Sequence, residues 1–284
     1  MTGEAVPSGS PGTGPSNLKL RIISAVILGV ITLGLTVLGG FAFRLFAVAL
    51  AALVFHEWTG MRPAEERMHA GVSWGALAVF LLALLAGVAA SAAFAILIIC
   101  ALIALVHGGI SGDGRWSAYG IAYAGTPAVA LAHLRGDDTA GLVAILFLYA
   151  VVWATDILAY FVGRAVGGPK LAPAISPGKT WSGGIGGAIG GVVAGGAVML
   201  LSGAALSFGG ALVLAFVLSL ASQAGDLFES MVKRRSGVKD SGSLIPGHGG
   251  VMDRVDGLVA AAVLLYLLGV NFSGFGAPAG LFSR

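Results

Sequence analysis

A single cysteine, Cys100, and a charged fraction of only 10% are the first things this 284-residue chain is short of. With one cysteine, no intramolecular disulfide can form and no thiolate metal cluster is available. No arrangement of His and Cys favours zinc either. The scarcity of charge excludes an ordinary soluble domain: 57% of the residues are hydrophobic and the mean hydropathy is +0.95, far outside the soluble range. The net charge of +3 is small, and no nucleic-acid partner is expected. Two nucleotide signatures are missing as well. There is no G-x-x-x-x-G-K-[ST] loop, and no G-x-G-x-x-G preceded by an alternating strand.

What is there instead is a series of apolar stretches near 20 residues, long enough to cross a bilayer as helices. Nine candidate spans are read at 20–39, 41–57, 72–88, 91–108, 116–134, 141–163, 184–204, 209–232 and 254–271. The expected fold is an all-α polytopic bundle. Residues 1–18, rich in Gly, Pro and Ser, read as a disordered tail. Residues 19–135 read as N-terminal transmembrane helices, the first of them uncleaved. Residues 136–284 read as a transmembrane catalytic region with cytoplasmic loops 164–183 and 233–253. Cytoplasmic loops carry an excess of Lys and Arg. With the N-terminus inside, thirteen of the sixteen Lys and Arg residues fall on the cytoplasmic side and only Arg44, Arg135 and Arg284 do not. An odd number of spans then puts the C-terminus outside.

Charge is concentrated where it is least expected. Residues 230–256 hold Lys233, Arg234, Arg235, Lys239, Asp240, Asp253, Arg254 and Asp256, with Gly242, Gly247, Gly249 and Gly250 among them. The eighth span carries Ser219, Ser222, Gln223, Asp226, Glu229, Ser230 and Lys233 at three- and four-residue steps, a polar stripe on one helix face. Asp156, Tyr160 and Arg164 form a second stripe in the sixth span. Ionisable groups at membrane depth face a cavity or a partner. Taken singly, Asp156 with Arg164 and Glu229 with Lys233 read as buried ion pairs; taken together, the stripes predict a polar cavity open to the cytoplasm. Glu57, between His56 and Trp58, either lines that cavity or sits at the interface. Gly183, Gly187, Gly191 and Gly195 recur every four residues, a ladder for close helix packing within the chain, or for a homodimer.

Asp253 and Asp256 share a helix face three residues apart, and Asp226 ends the preceding span. Hard oxygen ligands beside phosphate-binding cations suit Mg²⁺, and Asp226, Asp253 and Asp256 are the expected ligands. Glycines at 242, 247, 249 and 250 would let backbone N–H groups approach phosphate oxygens. His248 between glycines is expected near a ligand. Upstream, Pro169, Pro173 and Pro177 break helix and present Lys170, Ser176, Lys179 and Thr180 in a structured loop.

The run from Ser230 to Asp256 has the form S-x-x-K-R-x4-K-D-x-G-x2-[LIF]-P-x-H-G-G-x-x-D-R-x-D without a gap. Asp156 to Arg164 reads D-x-x-A-Y-x-x-G-R, and Ser176 to Thr180 reads S-P-x-K-T. In these elements, and more weakly from Tyr123 to Arg135, the chain resembles the integral-membrane phosphatidate cytidylyltransferases, or CDP-diacylglycerol synthases. The resemblance covers about the C-terminal two-thirds. It implies transfer of CMP from CTP to phosphatidic acid, giving CDP-diacylglycerol and pyrophosphate in phospholipid biosynthesis, by a multi-pass protein of the bacterial inner (cytoplasmic) membrane. It also implies site residues: Asp226, Lys233, Arg234, Lys239, Asp240, His248, Asp253, Arg254 and Asp256 in catalysis, and Asp156, Tyr160, Arg164, Ser176, Lys179, Thr180, Ser230, Gly249 and Gly250 in substrate binding. The family continues K-T-x-E-G where this chain has Lys179-Thr180-Trp181-Ser182-Gly183; Ser182 replaces an acid and is expected to cap the seventh helix. Two rivals stand beside this reading. A CTP-dependent polyprenol or phytol kinase would release CDP. A transporter would show paired interrupted helices in both halves, whereas the polar loops here fall only in the second half.

Overall fold

The computed structural model describes residues 17–62, 70–111, 114–246 and 249–283. Among these residues are nine α-helices: α1 (Asn17–Leu38), α2 (Gly40–Gly60), α3 (Ala70–Leu85), α4 (Ala90–Ser111), α5 (Gly114–Arg135), α6 (Thr139–Val166), α7 (Trp181–Ser202), α8 (Phe208–Arg235) and α9 (Met252–Ser273). Each of the nine apolar runs is one helix. Six of them, α2, α4, α6, α7, α8 and α9, are long and apolar enough to cross a membrane. The described apolar parts of α1 and α3 are shorter. α5, which carries Ser117, Tyr119, Tyr123 and Pro127, is not among the six.

The proline-rich loop after α6 is a small antiparallel hairpin of β1 (Lys170–Ala172) and β2 (Ser176–Thr180), with Lys170 opposite Thr180 and Ala172 opposite Ser176. Pro177 is tolerated there because a two-stranded ribbon has only edge strands. A short 3-10 helix (Gly280–Phe282) follows α9.

Hydrophobic burial does not by itself hold helices together in lipid, so small residues and hydrogen bonds decide which faces meet. The glycine ladder of α7 lies against α6. A Cβ at Gly183 would stand 2.7 Å from the Ala159 carbonyl oxygen, and one at Gly187 would stand 2.7 Å from that of Thr155. α6 therefore occupies the face that also read as a dimer contact. Thr155 Oγ1 donates at 2.7 Å to Ser219 Oγ of α8, which adds a polar tie inside the packed layer.

Two sets of contacts define the two ends of the bundle. At one end, the buried Arg135 donates to the Thr36 carbonyl at 2.5 Å and to the Val37 carbonyl at 3.2 Å. It thus caps the last turn of α1 beside the start of α6, where the Asp138 side chain accepts from Gly141 N at 2.7 Å. The Ser283 carbonyl meets Ala205 N at this end too. At the other end, α2 and α5 are clasped by reciprocal indole bonds: Trp58 Nε1 donates to the Trp116 carbonyl at 2.9 Å and Trp116 Nε1 to the Trp58 carbonyl at 3.2 Å. Trp58 also stacks on Tyr123, which stacks on Phe228 of α8. Near this end Ser24 Oγ of α1 reaches the Pro246 carbonyl. The early part of the chain and its last residues thus lie at opposite ends of the bundle.

Candidate active site

The Trp58 end carries a cavity of about 690 Å³ lined by Asp156, Tyr160, Arg164, Lys170, Lys179, Thr180, Asp226, Asp253, Arg254 and Asp256. Asp156, Tyr160 and Arg164 of α6, Gln223 and Asp226 of α8, the hairpin and the head of α9 meet there, whereas Ser219, Ser222 and Glu229 of the α8 stripe are buried in helix packing and do not line it. They converge because α6 and α8 run toward this end while α7 and α9 start from it. The Thr180 side chain caps α7 by accepting from Gly183 N at 3.1 Å. Ser182 does not take that role; its hydroxyl donates to the Gly167 carbonyl and ties the turn after α6 to the start of α7. The residue in place of the family's acid thus holds backbone, not the cavity wall.

Inside the cavity, Lys179 Nζ lies 2.5 Å from Asp226 Oδ2, and Ser230 Oγ donates to Asp226 Oδ1 at 3.4 Å. Asp156, Asp226 and Asp256 lie within electrostatic range of one another, with Lys179 and Arg254 set against them. Asp156 does not reach Arg164, which is two helical turns away, about 12 Å along the axis. Arg164 instead receives company from Tyr160, donating to its hydroxyl at 3.0 Å.

Asp253 is employed differently. Its Oδ1 accepts from Lys233 Nζ at 2.5 Å, and its Oδ2 accepts from Gly250 N at 3.0 Å and Ser241 N at 3.1 Å. Lys233 also pairs at 3.0 Å with the fully buried Glu229, so the expected Glu229–Lys233 pair is one half of a bridge from α8 to α9. Gly249, at φ 87, makes the turn that brings its N–H back to the Ile245 carbonyl; a side chain there is strained. The amides of Gly249 and Gly250 are thus used within the loop and do not face the cavity. Arg234 donates to the Val238 carbonyl, Lys239 and Asp240 are exposed, and Ser176 begins β2. Gly247 and His248 lie outside the described residues.

Glu57 does not line the cavity. It is buried, and its carboxylate accepts from Val251 N at 2.8 Å, Met252 N at 2.7 Å and Ser241 Oγ at 3.1 Å. α9 has no side-chain cap of its own; Glu57 supplies one from α2. The carboxylate also favours the positive end of the helix dipole. Gly242 and Gly250 close over it, with a Cβ at either lying 2.7 Å from a Glu57 oxygen. The only hint in sequence is a lone acid ending a long apolar run. Glu57→Gln replaces one acceptor oxygen by a donor facing donors, and should cost about 1–3 kcal/mol for the unsatisfied groups. A lowered melting temperature in detergent with unaltered Mg²⁺ dependence is the expected result. A wild-type melting temperature would show that the loop does not depend on this cap.

Hard oxygen donors are the right chemistry for Mg²⁺. Among the described residues no three His, Cys, Asp or Glu side chains converge to enclose an ion. Mg²⁺ does not require that, since one or two carboxylates plus substrate phosphates suffice. The donor set therefore fits the ion.

The cavity geometry agrees with the family relationships of the chain. It matches the Cytidylyltransferase family over residues 19–272. A protein of Brucella suis biovar 1 (strain 1330) named phosphatidate cytidylyltransferase is 51% identical over 270 residues, 94% of this chain and 98% of its own length. One of the same name from Pseudomonas aeruginosa is 37% identical over 282 residues, 92% of this chain and all of its own. In Haemophilus influenzae the likeness is 47% over 142 residues, about half of each chain. A match that runs through α1 to α9 and includes every helix that builds the cavity places this chain in the Cytidylyltransferase family.

Proposed function

We propose that the protein is a phosphatidate cytidylyltransferase, transferring CMP from CTP to phosphatidic acid and releasing pyrophosphate. The observation that carries this reading is the single cavity in which the acids of α6, α8 and α9 meet Lys179 and Arg254, on a chain sharing half its residues with proteins of that name. Joining two anions is the main barrier, and fixed cations lower it. The lipid phosphate is already anionic at neutral pH, so no strong general base is needed.

Asp226 and Asp256 would hold Mg²⁺, with Asp156 nearby; when bound, the ion supplies charge neutralisation at the phosphates. Lys179, released from Asp226, and Arg164 bind phosphate oxygens of the lipid or the triphosphate. Arg254 steadies the departing pyrophosphate. Asp253 and Lys233 act through the loop: their bridge fixes Ser241 and Gly250 against α9. Release of pyrophosphate from CTP only when phosphatidate is present is the expected result with purified protein. Release of CDP would support the kinase reading instead.

The same reading places nine spans across a bacterial inner membrane, with the N-terminus and the cavity in the cytoplasm, where CTP is. Its support is the charge asymmetry of the loops and the opposite placement of the early and last residues of the chain. Reporters fused after Gly242 and after Arg284 should report cytoplasm and outside, respectively. Matching signals would contradict the odd count.

A further inference from the structure

The end of the bundle opposite the active-site cavity holds a smaller polar cavity of about 240 Å³, lined by Gly40 and Arg44 of α2, Gly87 and Ala89 of the α3–α4 turn, His133 of α5, and Asp137. Its size lies just below the range of about 300–1,000 Å³ that suits drug-sized ligands, so it fits a headgroup and not a whole lipid. Two helices begin at it without a side-chain cap. Gly39, the N-cap of α2, makes no side-chain cap bond, and α4 follows Ala89, whose side chain carries no polar atom. The carbonyls around the cavity are already used. The ring nitrogens of His133 face the Val129 and Val88 carbonyls at 2.9 and 3.1 Å, and Arg135 donates to those of Gly136 and Asp138 besides Thr36 and Val37. Positive helix ends are left facing the cavity while the nearby carbonyls are covered.

Arg44 is half-buried in this lining. Its guanidinium lies against Gly87, which at φ 79 leaves open the space where a Cβ would collide with Nη1. Its Nε is buried with no hydrogen-bond partner among the described residues, a costly state for a charged group that a ligand would relieve. Asp137 is exposed at the rim, its Oδ1 2.6 Å from where a Cβ at Gly40 would stand. Among the described residues neither side chain makes an ion pair. Their levels differ: Arg44 lies about 6 Å inside α2 from Gly40, whereas Asp137 follows the end of α5. Beside and below Arg44 the surface is apolar and exposed, Leu45 to 47% and Leu82 to 67%. From the bilayer outward the order is apolar surface, cation, anion.

We propose that this cavity holds the headgroup of a zwitterionic phospholipid from the membrane surface opposite the active site, its phosphate on Arg44 and its ammonium on Asp137. Such a lipid presents acyl chains, phosphate and ammonium in that same order. A guanidinium matches phosphate oxygens with two parallel bonds, and the uncapped starts of α2 and α4 favour the same anion. A lipid with a phosphate and no ammonium leaves Asp137 unanswered and binds less tightly. The site is independent of the reaction at the other end of the bundle, so binding and not turnover reads it.

Delipidated protein is titrated in detergent with dioleoyl phosphatidylethanolamine or dioleoyl phosphatidylglycerol, and bound lipid is counted by native mass spectrometry. Wild-type protein should hold the ethanolamine lipid more tightly. Arg44→Gln should weaken that binding by about tenfold or more, as loss of a charge-assisted hydrogen bond does, and Asp137→Asn should erase the difference between the two lipids. Ala89→Asp decides the matter even where Arg44→Gln fails to fold. It gives α4 the cap it lacks, so it should melt no lower than wild type, while its charge repels the phosphate and weakens binding comparably. Wild-type affinity for the ethanolamine lipid in folded Ala89→Asp or Arg44→Gln would overturn the proposal. No preference in wild type, or one that survives Asp137→Asn, would overturn the pairing of ammonium with Asp137. Displacement of the lipid by inorganic phosphate or O-phosphoethanolamine at equal concentration would assign the cavity to a soluble anion, and the lipid would be ruled out.

Discussion

Asp226→Asn should lower turnover by about two to three orders of magnitude, the cost typical of removing one preorganised electrostatic group from an active site. The change keeps size and hydrogen-bonding capacity while removing the charge that Mg²⁺ and Lys179 both use. Fold stability should be close to wild type. The Asp226 side chain is 31% exposed and its ion pair with Lys179 is open to water, so it adds little to stability. A weakened ligand set binds the ion less tightly, so raising Mg²⁺ should restore part of the rate. Near-normal turnover at ordinary Mg²⁺ would remove Asp226 from the metal site.

Asp253→Asn should be as damaging by a different route. Its carboxylate and the Lys233 ammonium are 7% and 12% exposed, and Lys233 also faces buried Glu229. Neutralising Asp253 leaves the Lys233 ammonium with Glu229 as its one remaining partner among the described residues, so the cost is smaller than the about 3–5 kcal/mol of a buried pair broken outright. The loop amides of Ser241 and Gly250 lose a strong acceptor at the same time. The expected outcome is a large fall in turnover, a lower melting temperature, faster proteolysis within residues 241–246, and no recovery with added Mg²⁺. Lys233→Met should show the same pattern. If Asp253→Asn melts like wild type and is rescued by Mg²⁺, this carboxylate is a metal ligand and not a loop anchor.

The contrast between these two acids shows what the sequence carries and what it withholds. Asp226, Asp253 and Asp256 are equally visible as acids beside a cationic loop, and local spacing puts Asp253 and Asp256 on one helix face. Spacing does not say that Lys233, already matched to Glu229 four residues earlier, would turn its ammonium to Asp253 twenty residues later. Helix positions were legible because apolar runs of the right length end at glycines and charges, as at Gly39, Gly136 and Gly203. The meeting of Asp156, Lys179 and Asp226 was legible because alternating spans return the polar ends to one side. Glu57 was not legible in its role. Its partners, the amides of Val251 and Met252, are nearly two hundred residues away, and backbone donors leave no mark in a sequence. The hairpin at 170–180 was visible only as an interruption of helix, since three prolines forbid one structure without naming the other. Thr180 and Ser182 both suit a helix cap, and only the path of α6 into Gly167 decides between them.

The most direct test of the central claim follows two labels of CTP through one reaction. Purified protein is given phosphatidate, Mg²⁺ and CTP labelled on either the α- or the γ-phosphorus. The account predicts that the α-label enters the lipid fraction as CDP-diacylglycerol while the γ-label appears in pyrophosphate. The γ-label in the lipid fraction with CDP left in solution, or no label in lipid from either nucleotide, would contradict it.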